Sequence, residues 1–299
     1  MKHVLSIVNI PLFWACATVG TPALPNPAHV GVASHRISAD MRLTALRVGF
    51  VQVRPTHYEG DGPGAIRLSR IVMESSWSRW MPVIVYLIEH PDGAVLVDTG
   101  LSQDIALDPS NLQPSEKLGW FYRSNLRLFL PPEDELSVQL KNLGISPDAV
   151  THVVLTHLHA DHTGNIDLFP KAQLWTGEGN WPSHTGSVWK SNKTPKLIGE
   201  GELGTSQPLT ADGRIRIVRL PGHTPGHVGV AIYDPAPVAL LVGDATFDLP
   251  QTKRGGVSGI SEDMEDARRT QNLLRELPPQ TLILPSHDDD VFGRIEPRS

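Results

Sequence analysis

The residues Thr156-His157-Leu158-His159-Ala160-Asp161-His162-Thr163-Gly164-Asn165 place three imidazoles and one carboxylate within six positions. His157 and His159 are two residues apart, the spacing at which side chains of an extended chain point alike. The pair is not the i, i+4 arrangement of a zinc-binding helix. Imidazole nitrogen and carboxylate oxygen together suit zinc, iron, manganese or cobalt. Gly164 lets the chain turn away without a side chain crowding the site. A His-rich surface loop is the bland alternative, but residues 149–156, just before the cluster, read as a buried strand.

Three later segments also run from a strand candidate into a turn that carries a ligand-type side chain. They are residues 215–220 leading into Pro221-Gly222-His223-Thr224-Pro225-Gly226-His227, then Leu241-Val242-Gly243-Asp244, then Leu282-Ile283-Leu284-Pro285-Ser286-His287. Taken singly, His223, Asp244 and His287 could each be an ordinary turn residue, and the early cluster is what makes them ligands. Strand ends along one sheet edge are natural places to converge side chains on a pocket. Seven ligands exceed what one tetrahedral zinc uses, so two ions are implied, with a carboxylate able to bridge them and Asp244 the candidate. The chemistry such a set serves is hydrolysis. Asp161 or Asp244 could carry the proton to the leaving group, Asp161 preferred because it need not bridge. Asp98 reads as holding a ligand histidine by a hydrogen bond that fixes its tautomer. His227 reads as a supporting residue or a satisfied polar start to the next strand.

The elements that must position these residues alternate along the chain. Strands are expected over residues 43–53, 82–89, 94–97 and 149–156, then 173–175, 215–220, 228–233, 238–242 and 281–284. Helices are expected over 132–144 and 262–277. Two strand-rich halves, each with helices, suggest two sheets packed face to face with helices outside. A continuous parallel sheet is the rival, but Gly60, Gly62 and Gly64 lack the strand–turn–helix context of a dinucleotide fingerprint.

The 299 residues are 40% hydrophobic and 19% charged, with 26 Gly and 26 Pro, an ordinary folded composition rich in turns. A net charge of -6 argues against nucleic acid as a partner. The one cysteine, Cys16, excludes an intrachain disulfide and a multi-cysteine metal site. Residues 4–20 form an apolar run behind Lys2 and His3. Residues 1–27 therefore read as a signal peptide and Pro-rich tether, with the mature chain starting between Thr18 and His35 and lying in the periplasm or outside the cell. Residues 28–299 read as one hydrolase domain. No later segment has 18 uncharged apolar residues, so no stable membrane span is expected.

Through Asp98-Thr99-Gly100, His157-Leu158-His159-Ala160-Asp161-His162, Pro221-Gly222-His223, Gly243-Asp244 and His287, residues 43–287 resemble the metallo-beta-lactamase superfamily. The resemblance implies an α+β fold, a four-layer αβ/βα sandwich with two divalent metals at one edge of its sheets. It implies that His157, His159 and His223 hold one ion and Asp161, His162 and His287 the other, with Asp244 bridging. Zinc is the first expectation, with manganese, cobalt and iron as alternatives. Within the superfamily the chain is similar to the N-acyl homoserine lactonases, which share Leu96-Val97-Asp98-Thr99-Gly100, the 221–227 segment, and separations of 61, 21 and 43 positions between His162, His223, Asp244 and His287. That similarity implies a small-molecule lactone or ester substrate and a quorum-quenching role, with a homodimer left open.

Lactonases of this group usually carry a tyrosine three positions after the bridging Asp. Here Phe247 stands there, and a phenyl ring cannot donate a hydrogen bond. The alternatives are an aryl or alkyl ester or phosphoester hydrolase of the same fold, an oxygen-reducing or sulfur-handling iron enzyme, and a non-catalytic metal-binding protein. Apolar candidates for the pocket are Trp77, Trp80, Met81, Trp120, Phe121 and Phe247, each of which could equally be core.

Overall fold

The computed structural model describes residues 31–108, 116–181 and 191–296; the leader and tether expected over residues 1–27 lie outside them. The first sheet contains β1 (Val32–Arg36), β2 (Arg42–Val53), β3 (Met81–Glu89), β4 (Ala94–Val97), β5 (Leu126–Phe129), β6 (Val150–Val154), β7 (Gln173–Gly177) and β8 (Lys196–Ile198). Its order is β1-β2-β3-β4-β6-β7-β8, with β5 paired to β2. Pairing is antiparallel from β1 to β4 and parallel from β4 to β8. The second sheet contains β9 (Ser206–Pro208), β10 (Ile215–Arg219), β11 (Val228–Tyr233), β12 (Pro237–Gly243) and β13 (Leu282–Pro285). Its order is β13-β12-β11-β10-β9, antiparallel except for the β12–β13 pair.

Strand alternation divides the interior into three apolar layers. In β3, Ile84, Tyr86 and Ile88 face the second sheet, while Val83, Val85 and Leu87 face the outer core. A strand covered on both faces has no solvent side, which is why residues 81–88 carry no charged side chain. Ile217, Val228, Val230 and Leu241 answer from the second sheet. On that sheet's far side, Val218, Leu220, Leu240 and Val242 meet Leu274 of the helix Met264–Glu276. Leu136 and Leu140 of the helix Leu136–Asn142 and Ile105 of the helix Gln103–Leu107 cover the first sheet. The result is helices, sheet, sheet, helices, the αβ/βα sandwich expected from the sequence.

Two local expectations change. Residues 132–144 form a 3-10 turn, Pro132–Asp134, and a separate helix, Leu136–Asn142, because Glu135 between them is extended (φ -57, ψ 131). Asp134 is drawn inward to the buried Arg47, with Nε and Oδ2 2.7 Å apart. The Gly-rich stretch after residue 59 leads into a helix, Gly64–Met73, that was not among the elements expected from the sequence. Its predecessor is the short helix Pro55–Tyr58, so the dinucleotide context is absent there as expected.

Candidate metal centre

Every ligand candidate follows the end of a strand at the shared edge of the two sheets. After β6 the chain bends at Thr156 and His157, is extended at His159, and then makes one helical turn, Ala160–Thr163, that carries Asp161 and His162. His223 follows β10, Asp244 follows β12, and His287 follows β13. Parallel pairing of β12 with β13 brings the last two ends side by side. Two glycines permit the approach. At Gly222 (φ 132) a Cβ would lie 2.3 Å from the Ala267 backbone nitrogen, and at Gly243 (φ 52) it would lie 2.6 Å from Thr156 Oγ1.

The seven side chains form two groups, His157, His159, His223 and Asp244, and Asp161, His162 and His287. In the first, His159 Nδ1 lies 2.8 Å from His157 Nε2 and 3.1 Å from His223 Nε2. Asp244 turns one oxygen to each group. Its Oδ2 is 3.8 Å from His157 Nε2 and 3.6 Å from His223 Nε2, while its Oδ1 is 3.4 Å from His162 Nε2 and 3.1 Å from His287 Nε2. Asp161 lies 3.8 Å from His162 Nε2 and 3.5 Å from His287 Nε2.

Supporting bonds fix which nitrogen of each ring faces the centre. His287 Nδ1 bonds the Pro82 carbonyl (2.8 Å) and His162 Nδ1 bonds Asp98 Oδ2 (2.8 Å), leaving both Nε2 atoms inward. Asp98 also accepts from the Thr156 backbone N–H (2.8 Å) and hydroxyl (2.9 Å). It has φ 64, the lone non-glycine positive value among the described residues, a conformation that Asp tolerates better than most. His227 stands behind the site, its Nε2 accepting from the Asp244 backbone N–H at 3.2 Å.

Electrostatics favour a cation. Burial, joined by the neighbouring imidazoles of His162 and His159, holds His157 well below the usual histidine range; burial likewise lowers His223 and His159. Burial also opposes charge on His162, but Asp244, Asp98 and Asp161 outweigh it and raise that ring well above its ordinary value. His287 is raised over the same opposition, chiefly by Asp244. Asp244 stays ionised despite burial because His287 and His162 face it. His162 Nε2 and Asp244 Oδ1 are shut off from solvent with no hydrogen-bond partner, an arrangement that proteins avoid unless something else satisfies it. Imidazole nitrogens turned toward a shared carboxylate fit two divalent ions.

Four of the seven ligand candidates, His159, Asp161, Asp244 and His287, line a cavity of about 780 Å³. Met81, Phe121 and Phe247 line it; Trp77, Trp80 and Trp120 do not, which corrects their place as pocket candidates. Trp77 instead lies beneath the guanidinium groups of Arg54 and Arg127, 3.7 and 4.0 Å from its ring. On the helix Glu116–Asn125, Trp120 is 51% exposed, because helix geometry sets neighbours about 100° apart and it is Phe121 that lines the cavity. Trp80 is half-buried just before β3. The sequence reading missed Leu68, Val72 and Met73 of the helix Gly64–Met73, along with His57 and Tyr122, all of which line the cavity. The i, i+4 spacing of Leu68 and Val72 was a helical signal; a lone histidine and a lone tyrosine carry none.

Residues 78–287 match the model of the metallo-beta-lactamase superfamily, and the chain belongs to that superfamily. Together with the two ligand groups, this makes it a dinuclear metal-dependent hydrolase. Among curated relatives, it is 30% identical over 228 residues to the N-acyl homoserine lactonase AttM of Azorhizobium caulinodans, covering 71% of this chain and 84% of the relative. It is 29% identical to AttM of Rhizobium johnstonii, covering 72% and 85%. A solved N-acyl homoserine lactone hydrolase, with the product N-hexanoyl-L-homoserine at its catalytic metal centre, shares the fold at TM-score 0.66 and 19% identity, covering 82% of this chain and 92% of that one.

Proposed function

We propose that this protein opens lactones or esters that carry an apolar acyl chain, N-acyl homoserine lactones first among them. The observation that carries the reading is a two-group ligand set joined by Asp244, with members of both groups lining a largely apolar cavity. Val53, Met81, Leu126, Leu128, Phe247 and Ile260 form much of its wall, a surface that can bury a hydrocarbon chain at about 0.8 kcal/mol per CH₂. Similarity to two AttM lactonases supports the lactone ring as the reacting group.

His157, His159 and His223 would hold one divalent ion, Asp161, His162 and His287 the other, with Asp244 between them and zinc the first candidate. When bound, such ions supply a water of lowered pKa and a Lewis acid for the carbonyl oxygen. The protein's own groups do the rest. Asp98 and the Pro82 carbonyl keep His162 and His287 in one tautomer. Asp161, with 16% of its side chain exposed against 5% for Asp244, is the carboxylate placed to pass a proton to the departing alkoxide.

Phe247 favours a second reading, an aryl or alkyl ester or phosphoester hydrolase, because its ring offers shape and no donor. Rates for long-chain acyl homoserine lactones, simple lactones, aryl esters and phosphotriesters, measured on one zinc-, manganese- or cobalt-loaded preparation, decide between them. The lactones should give the highest kcat/KM. A preference for aryl esters or phosphotriesters would establish the second reading, and tight metal binding without turnover of any substrate would defeat both.

A further inference from the structure

Outside the metal ligands, some polar side chains of the cavity wall are committed to the protein. Arg67 donates to the carbonyls of Gly62, Gly259 and Ser261, and the Ser69 hydroxyl donates to Ile66. His57 differs. It is 5% exposed and lines the cavity with His159, Asp161, Asp244 and His287, yet its Nδ1 is shut off from solvent and has no hydrogen-bond partner. Leaving a ring nitrogen unpaired in the interior is costly, and natural proteins do it rarely.

The position of the ring is fixed from behind. The His57 backbone N–H donates to the Arg54 carbonyl (2.9 Å), and its own carbonyl accepts from Gly259 N–H (3.0 Å) and the Ser258 hydroxyl (2.9 Å). In front, its centroid lies 6.4 Å from the Phe247 ring, which is in turn 5.2 Å from His287 and 6.0 Å from His223. His57 thus stands one ring away from two metal-ligand candidates, beside a phenyl group that cannot donate. Burial first, and then the charge of His159, push its pKa down to about 3, against the opposite pull of Asp161 and Asp244. The imidazole is therefore neutral at physiological pH and carries one N–H and one lone pair.

We propose that His57 is a substrate-binding residue whose imidazole N–H donates a hydrogen bond to a carbonyl oxygen of the acylated substrate, beside the ring of Phe247. The assignment rests on the lactone or ester reading given above. It supplies a donor from the helix Pro55–Tyr58 at a place where residue 247 supplies none; with Nδ1 closed off and facing no acceptor, the ring proton belongs on Nε2, the nitrogen left to face the cavity. Because that backbone is tied to the Ser258–Gly259 turn, the donor is held in place before the substrate arrives.

The test uses the metal-loaded protein and a non-hydrolysable N-hexanoyl homoserine lactam. His57→Phe keeps an aromatic ring against Phe247 and removes the donor, while His57→Gln keeps a donor. The lactam should bind His57→Phe about tenfold more weakly than wild type, as expected for one hydrogen bond, with most of that loss recovered in His57→Gln. The ring nitrogen resonances of His57 in the wild-type protein should shift as the lactam binds, a readout independent of turnover and of how either variant folds. Equal affinity of a folded His57→Phe, unmoved His57 resonances, or no lactam binding would overturn the assignment. Failure of wild type to hydrolyse any lactone or ester overturns the functional reading instead. Full activity of His57→Phe beside an active wild type overturns only the role of His57.

Discussion

Asp98→Asn would change one charge and two hydrogens at a residue that touches no ion in the proposed arrangement. Asp98 accepts three hydrogen bonds of 2.8–2.9 Å, from Thr156 N–H, Thr156 Oγ1 and His162 Nδ1. Asn has the same shape and tolerates the φ of 64 found there, so the turn should survive. Its carbonyl can keep the Thr156 N–H, and the Thr156 hydroxyl can rotate to accept from the new amide. His162 has no such escape. Facing an NH₂ group, its Nδ1 must offer a lone pair, which moves the ring proton to Nε2, the nitrogen turned toward Asp244 at 3.4 Å and Asp161 at 3.8 Å. A protonated Nε2 cannot ligate. The loss is one charge-assisted hydrogen bond, roughly 1.5–3 kcal/mol, which corresponds to about 10- to 100-fold in affinity for one ion. Competition with a chromophoric chelator should show one site weakened by that factor and the other nearly unchanged. Two sites of wild-type affinity in a folded Asp98→Asn protein would refute the claim that Asp98 sets the tautomer of His162.

Three other outcomes are expected. His157→Ala should lose most activity together with metal occupancy while staying folded, since the three apolar layers are untouched; full activity with unchanged metal content by elemental analysis would remove His157 from the ligand set. Phe247→Tyr should raise kcat/KM on a long-chain acyl homoserine lactone by up to about tenfold, the worth of one added hydrogen bond, and lower it on an apolar aryl ester, whose pocket would gain an unpaired hydroxyl; a fall on the lactone would show that the phenyl ring belongs to lactone turnover. Native protein recovered outside the cytoplasm should begin at Thr18 or later, and intact-mass measurement showing a Met1 or Lys2 start on cytoplasmic material would refute export.

The centre was largely legible in the sequence because its ligands are dense and local. His157, His159, Asp161 and His162 come from one strand end and one helical turn, and their spacing is set by backbone geometry alone. The late residues His223, Asp244 and His287 were legible because each follows an apolar strand by one to four residues. That residues 94–97 would form a buried strand was also readable from their unbroken apolar run, and residues 82–88 show a similar apolar density. What the tertiary structure decided is which surfaces meet. Only the register of β12 on β13 and of β4 on β6 turns the two oxygens of Asp244 to different groups and brings Asp98 under His162. The cavity wall was the least legible part. Tryptophans look alike in sequence whether they line a pocket, as expected of Trp77, or lie under two arginines, as Trp77 does. A cavity is made by whichever side chains happen to face one volume from separate elements, so His57, Leu68, Tyr122 and Phe247 share no spacing that a linear chain could display.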